Sequence, residues 1–277
     1  MPLIITATDF SAVAENATNY ACQLAMAHNA RLVIVHSFVF PVIFSDVPMP
    51  ASLISDTQSD AEDQINDIVA RYKESYPALD VEGLVLDGDI INSLEEYAED
   101  NEDPWLVVLG NSTAGDQPTW IDSNVIAAFK HLRYPVLAVP AEATYNPVKK
   151  MCLAFDNKHT GNATALAQLT DIASQMGTDL QVLNMQPDVL NRDNTTEIDA
   201  EAVKILAPAN PHFHVLYEVR NIDDTVQDFV QKNNIDWLIL IPRKHSFFEG
   251  LFHKSQTKAI AHHSHIPVLA LHETHIG

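Results

Sequence analysis

The chain has 277 residues, 47% hydrophobic and 19% charged, a globular composition that excludes collagen-like, low-complexity and largely disordered chains. Sixteen Lys+Arg against 37 Asp+Glu leave a formal net charge of −21, a field that repels phosphate backbones and anionic lipid, so nucleic acid and membrane surfaces are excluded as first partners. No basic flank precedes the opening Met1-Pro2-Leu3-Ile4-Ile5, and the apolar runs are too short for a signal peptide or a membrane span, so a cytoplasmic chain is expected.

In chain order, the first half predicts strands at Leu3–Thr8, Arg31–Ser37, Val81–Leu86, Trp105–Gly110 and Pro135–Val139, with helices in the gaps. Ser11 is placed to cap the first helix, on which Ala17, Ala21, Leu24, Ala25 and His28 recur at helical spacing. Pro41, Pro48 and Pro50 interrupt regular structure around Phe40 to Asp60, and Ser45 to Pro50 reads as a surface loop or a lid. Glu95, Glu96, Glu99, Asp100, Glu102 and Asp103 alternate with Leu94, Tyr97 and Ala98, a solvated helix face. The second half predicts strands at Met151–Phe155, Leu180–Asn184, Phe213–Val219, Trp237–Ile241 and Pro267–Leu271. Its helices are expected over Asn162–Met176, Asp223–Asn233 and Leu251–His262, with a shorter one at Glu197–Leu206. Cys22 and Cys152 lie inside these apolar patterns and read as reduced, buried thiols.

The halves repeat one another. An offset of 132 lays Trp105-Leu106-Val107-Val108-Leu109 over Trp237-Leu238-Ile239-Leu240-Ile241, Ser123 over Ser255, and Pro135-Val136-Leu137-Ala138 over Pro267-Val268-Leu269-Ala270. An offset of 147 lays Ala7-Thr8-Asp9 over Ala154-Phe155-Asp156. Alternating strands and helices in each copy predict an α/β fold of two tandem Rossmann-like domains, 1–144 and 150–277, each a five-stranded parallel sheet flanked by helices. Pairing Pro135–Val139 with Pro267–Leu271 would cover two open sheet edges and make an internal pseudo-dimer, and further homo-oligomerisation is expected.

Thr8-Asp9-Phe10-Ser11 after the first strand, Leu32-Val33-Ile34-Val35-His36 in the second, Gly110 ending the fourth, Ser123-Asn124 opening a helix and Pro135-Val136-Leu137 in the fifth together resemble the universal stress protein family. The likeness covers nearly the whole chain, twice. It implies a Rossmann-like domain that in some members binds ATP between the first and fourth strands, through an Asp after strand one and a loop Gly-x2-Gly-x9-Gly-[Ser/Thr]. Such glycines let backbone amides approach phosphate oxygens at a helix N-terminus. On that basis Asp9, Ser37, Gly110, Gly115, Ser123 and Asn124 are the candidate nucleotide site of the first copy, with ATP or AMP as ligand and no cofactor required.

This sequence departs from the glycine loop. Counted from Gly110, the later glycines fall on Thr113 and Ser123; Gly115 serves only a shifted loop, with Asp116 and Asp122 beside the phosphates. In the second copy Pro242 and His245 replace the first two glycines. Its candidates for a ligand or anion loop are Asp156, Arg243, Lys244, His245, Lys254 and Ser255. From the residues alone, Asp9 and Asp156 serve equally as turn or capping residues, and Ser123 and Ser255 as helix caps. Phe247, Phe248, Leu251 and Phe252 favour packing over a ligand pocket.

His262, His263 and His265 lack metal-ligand spacing, so no metal is expected. No Gly-x-Ser-x-Gly elbow and no Gly-x4-Gly-Lys-[Ser/Thr] loop occurs, which points away from an enzyme. The expected function is non-catalytic: ligand sensing and protein contacts, or a scaffold whose degenerate loops bind no nucleotide.

Overall fold

The computed structural model describes residues 1–38, 51–112, 120–155, 163–186, 200–217, 222–242 and 265–272. All ten strands anticipated from the sequence are present, within one or two residues at each end: β1 (Leu3–Ala7), β2 (Arg31–Phe38), β3 (Val81–Asp87), β4 (Leu106–Asn111), β5 (Val136–Pro140), β6 (Lys150–Phe155), β7 (Asp179–Gln186), β8 (His212–Tyr217), β9 (Trp237–Leu240) and β10 (Val268–Ala270). The helices among the described residues are α1 (Ala12–His28), α2 (Ala51–Ser75), α3 (Ile90–Asp100), α4 (Trp120–His131), α5 (Ala163–Met176), α6 (Ala200–Leu206) and α7 (Ile222–Asn233). The expected helix Leu251–His262 and the Phe247–Phe252 segment lie outside the described residues, as does Ser45–Pro50.

The strands form one sheet in the order β3-β2-β1-β4-β5-β10-β9-β6-β7-β8. Pairing is parallel within each half and antiparallel only where β5 meets β10, with Leu137 opposite Leu269 and Ala138 opposite Val268. The two copies therefore share one continuous sheet, and the edges that each would leave open are joined to each other. Every residue of β1 and β5 is buried because helices cover both faces, the condition that makes a parallel strand read as an unbroken apolar run.

One apolar layer takes Ile4, Leu32 and Ile34 with α1 and α2, and continues across the seam to Leu153, Val182 and α5 with α6. The other takes Ile5, Val33 and Val35 with α3 and α4, and continues to Leu183, Leu238 and α7. Cys22 and Cys152 are free and buried, and desolvation pushes both thiols up to about 12, so they behave as small apolar residues.

Two expectations need correction. Among the described residues α2 already runs from Ala51, so the interruption does not extend to Asp60; Ala61, Ile65, Val69 and Tyr72 are buried at helical spacing and seat α2 on the sheet. Helix α4 begins at Trp120, so Ser123 lies within its first turn and is not the residue that caps it.

The seam has unequal sides. Trp237, completely buried, donates its indole N–H to the Tyr20 hydroxyl at 2.7 Å across the two copies. Aligning Ala17, Leu24 and Ala25 with Ala165, Ile172 and Ala173 puts Gln168 at the place of Tyr20, and the repeat puts Trp105 at that of Trp237. There the Trp105 Nε1 and the Gln168 Oε1 are both buried without a hydrogen-bond partner. Among the described residues, one direct indole hydrogen bond, not two, joins the copies.

His272, just past β10, reaches into the other copy. Its Nε2 lies 2.7 Å from the carbonyl of Phe129 near the end of α4, and its Nδ1 lies 3.2 Å from that of Tyr134. A neutral imidazole can donate to one of these carbonyls only, and the shorter distance marks Nε2 as the donor. Burial, chief among the causes, lowers the His272 pKa; His131 adds to this and the two carbonyls oppose it. A base whose pKa is depressed on folding stabilises the fold above its unfolded value and loses that contribution as pH falls through it. Thermal melts between pH 7.5 and 5.5 are therefore expected to fall more steeply for the native chain than for His272→Gln, whose amide stays neutral. Equal slopes would contradict this assignment.

Candidate functional site

In an open parallel sheet the ligand crevice lies beyond the carboxyl ends of the strands, where helices leave to opposite faces. In the first copy the ends of β2, β1 and β4 meet there, with α1 leaving to one face and α4 to the other. The β1 register sets Thr6 opposite Val108 and Ala7 opposite Val35. β1 ends at Ala7, so Asp9 lies in the turn just after it, while Ser37 and Gly110 lie near the carboxyl ends of its neighbours β2 and β4.

The turn after β1 is held by its own short polar side chains. Thr8 Oγ1 accepts from the Phe10 amide at 3.0 Å, Asp9 Oδ1 from the Ser11 amide at 2.9 Å, and Ser11 Oγ from the Ala14 amide at 3.2 Å. Ser11 is the α1 cap, as its position predicted, and Asp9 makes the Asx turn that delivers the chain to it. One Asp9 carboxylate oxygen is thus committed to the backbone. The turn drives Phe10 to a φ of 66°, a left-handed conformation uncommon for an aromatic residue. Its ring lies 4.5 Å from that of His36, whose Nδ1–H donates to the Thr8 carbonyl at 2.8 Å.

Gly110 has a packing reason to be glycine. A Cβ there would stand 2.9 Å from the backbone oxygen of Val13, in the first turn of α1. Ser37 is buried, 7% exposed, on the α3 and α4 side of β2 with Val33 and Val35. On the same face of α1, one turn on, Asn16 donates to the carbonyls of Pro140 and Ala143, each at 3.0 Å, and ties that helix to the end of β5.

Of the first-copy candidates, the structure gathers Asp9, Ser37 and Gly110 at one edge. Ser123 lies in the first turn of α4 and Asn124 just after it, and their side chains are outside the described residues, as is Gly115. In the second copy Asp156, Arg243, Lys244, His245, Lys254 and Ser255 all lie outside the described residues. The sequence reading missed Phe10 against His36, and Val13 over Gly110. A polar His at the end of an otherwise apolar strand was the available signal for the first. Among the described residues no group of three His, Cys, Asp or Glu could hold a metal ion, and no helix is long and apolar enough to cross a membrane.

These features define a duplicated, doubly wound α/β protein with a crevice at the carboxyl ends of its central strands. The model of the Universal stress protein family matches residues 2–140 and again residues 147–272, and the chain belongs to that family. Three solved structures share the fold over nearly its whole length. A universal stress protein from Archaeoglobus fulgidus DSM 4304 is 10% identical at a TM-score of 0.67, covering 98% of this chain and 96% of its own. A putative universal stress protein from Pseudomonas aeruginosa UCBPP-PA14 is 15% identical at 0.59, covering 98% and 92%. A functionally unknown protein from Pseudomonas aeruginosa PAO1 is 14% identical at 0.59, covering 99% and 93%. No curated protein matches the sequence significantly.

Proposed function

We propose that this chain is a non-catalytic, cytoplasmic stress-response protein that senses an adenine nucleotide, ATP or AMP, in the strand-end crevice of its first domain and acts through contacts with other proteins. The domains are 1–144 and 150–277. One observation supports the reading: Asp9 is pre-oriented by its bond to the Ser11 amide at 2.9 Å, in the turn after β1 and at the same end of the sheet as Ser37 on β2 and Gly110 on β4. In this reading the second carboxylate oxygen of Asp9 is the contact for the nucleoside hydroxyls, and Gly110, Gly115, Ser123 and Asn124 are the residues assigned to the phosphates. A second reading, a scaffold that takes no nucleotide, is favoured by Gly110, whose identity packing against Val13 already explains.

Isothermal titration separates the two. The sensor predicts saturable heat with ATP and AMP, and a loss of about tenfold or more in affinity for Asp9→Ala, the size expected for a hydrogen bond to a charged acceptor. No heat at millimolar nucleotide removes the sensor and leaves the scaffold. In the second domain, Asp156 with Arg243, Lys244, His245, Lys254 and Ser255 is the corresponding proposal for a small anion, tested by titration with inorganic phosphate.

A further inference from the structure

A cavity of about 190 Å³ opens between α1 and α2. It meets the strand-end crevice at the β1 turn, where Thr8 and Phe10 line it, but opens on the other flank of α1: Val13 on one flank packs on Gly110 at the end of β4, whereas Glu15 on the other flank faces α2 and lines the cavity. Carboxylates stand on both walls, Glu15 on α1 and Asp67 on α2, and the Phe10 and Tyr72 rings join them in the lining. Phe10 reaches this place through its left-handed backbone and its stacking on His36.

The protein itself demonstrates what these walls accept. The guanidinium of Arg71 donates to Glu15 Oε1 at 2.7 Å while lying 5.7 Å from the centre of the Tyr72 ring. That is a planar cation held by a carboxylate beside an aromatic ring. It uses one carboxylate; Asp67 forms no ion pair among the described residues. Two carboxylates against one permanent cation leave the cavity one negative charge in excess, in a chain of net charge −21, so an anion is disfavoured twice over.

We propose that the groove between α1 and α2 binds a small guanidinium-bearing cation, with Asp67 as its counter-ion and the Phe10 and Tyr72 rings as its apolar contacts. The site is independent of the nucleotide reading. Arg71 is then a built-in competitor, because it neutralises Glu15 from within.

The test is isothermal titration of the full chain with agmatine at physiological ionic strength, where attraction to distant surface charge is screened. One agmatine per chain is expected. Asp67→Asn weakens binding by about tenfold, the loss of a charge-assisted pair. Arg71→Met strengthens it severalfold by releasing Glu15. Putrescine, of similar reach without the planar head, binds about fivefold or more weakly. Asp67 and Arg71 are exposed, so neither change threatens folding, and unaltered melting curves verify this. The proposal is overturned by absence of heat, by several equivalents bound with no response to Asp67→Asn, by weaker binding to Arg71→Met, or by equal affinity for putrescine.

Discussion

Trp237→Ala is expected to destabilise the whole chain by about 3–5 kcal/mol in urea denaturation, the range for removing a large buried aromatic side chain. The indole is completely buried at the start of β9 and bonds the Tyr20 hydroxyl in the other copy, so truncation both opens a cavity and strands a buried hydroxyl. Tyr20→Phe removes the same hydrogen bond without a large cavity, at about 1–3 kcal/mol, because the buried indole N–H is then left without an acceptor. Trp105→Ala provides the contrast. That indole is half-buried, packs its ring 5.6 Å from that of His28 and makes no hydrogen bond through Nε1, so it should cost clearly less than its repeat counterpart. Equal losses for the two tryptophans would mean that the seam is as symmetric as its backbone.

Gly110→Ala should cost about 1–3 kcal/mol, the range for overpacking a filled interior. The nearest atoms to the new methyl are the Val13 carbonyl oxygen at 2.9 Å and its Cγ1 at 3.0 Å. Val13→Ala removes only the second, so combining it with Gly110→Ala should recover less than half of the loss; full recovery would show that the side chain, and not the helix backbone, sets the limit. The outcome bears on function, since a glycine required by α1 against β4 is required whether or not a phosphate lies above it. Thermal melts without ligand report the packing role, and titration with ATP reports any further one.

Much of the fold was legible because parallel strands covered on both faces are written as short apolar runs, and a duplication writes them twice. The offset that paired Leu106–Leu109 with Leu238–Ile241 also matched β5 with β10; the resemblance and the need to cover open sheet edges made them the joint, and they are hydrogen-bonded neighbours. The cap at Ser11 was legible because capping is a local matter of one hydroxyl and one amide. The interruption around Phe40 to Asp60 was drawn too long and the start of α4 too late, where proline punctuation and a serine were given more weight than the apolar periodicity beside them.

The bond from Trp237 to Tyr20 spans 217 positions, and the Phe10 ring over His36 depends on a backbone angle that only the folded turn sets. Neither leaves a periodic trace. At the candidate site, Asp9 and Gly110 were found by resemblance, yet their observed contacts, an Asx turn and a close helix, were within the alternatives that the residues themselves allowed.

The central claim is that two copies of one α/β unit are fused through β5 and β10 into a single continuous sheet. Native-state hydrogen exchange across the ten strands tests it most directly, because amides at the heart of a cooperative unit open only with global unfolding, whereas those at a loose joint open locally. The account predicts that the amides of β5 and β10 exchange as slowly as those of β1 and β6, with the same dependence on denaturant. Rapid exchange confined to β5 and β10, insensitive to denaturant while β1 and β6 stay protected, would contradict it.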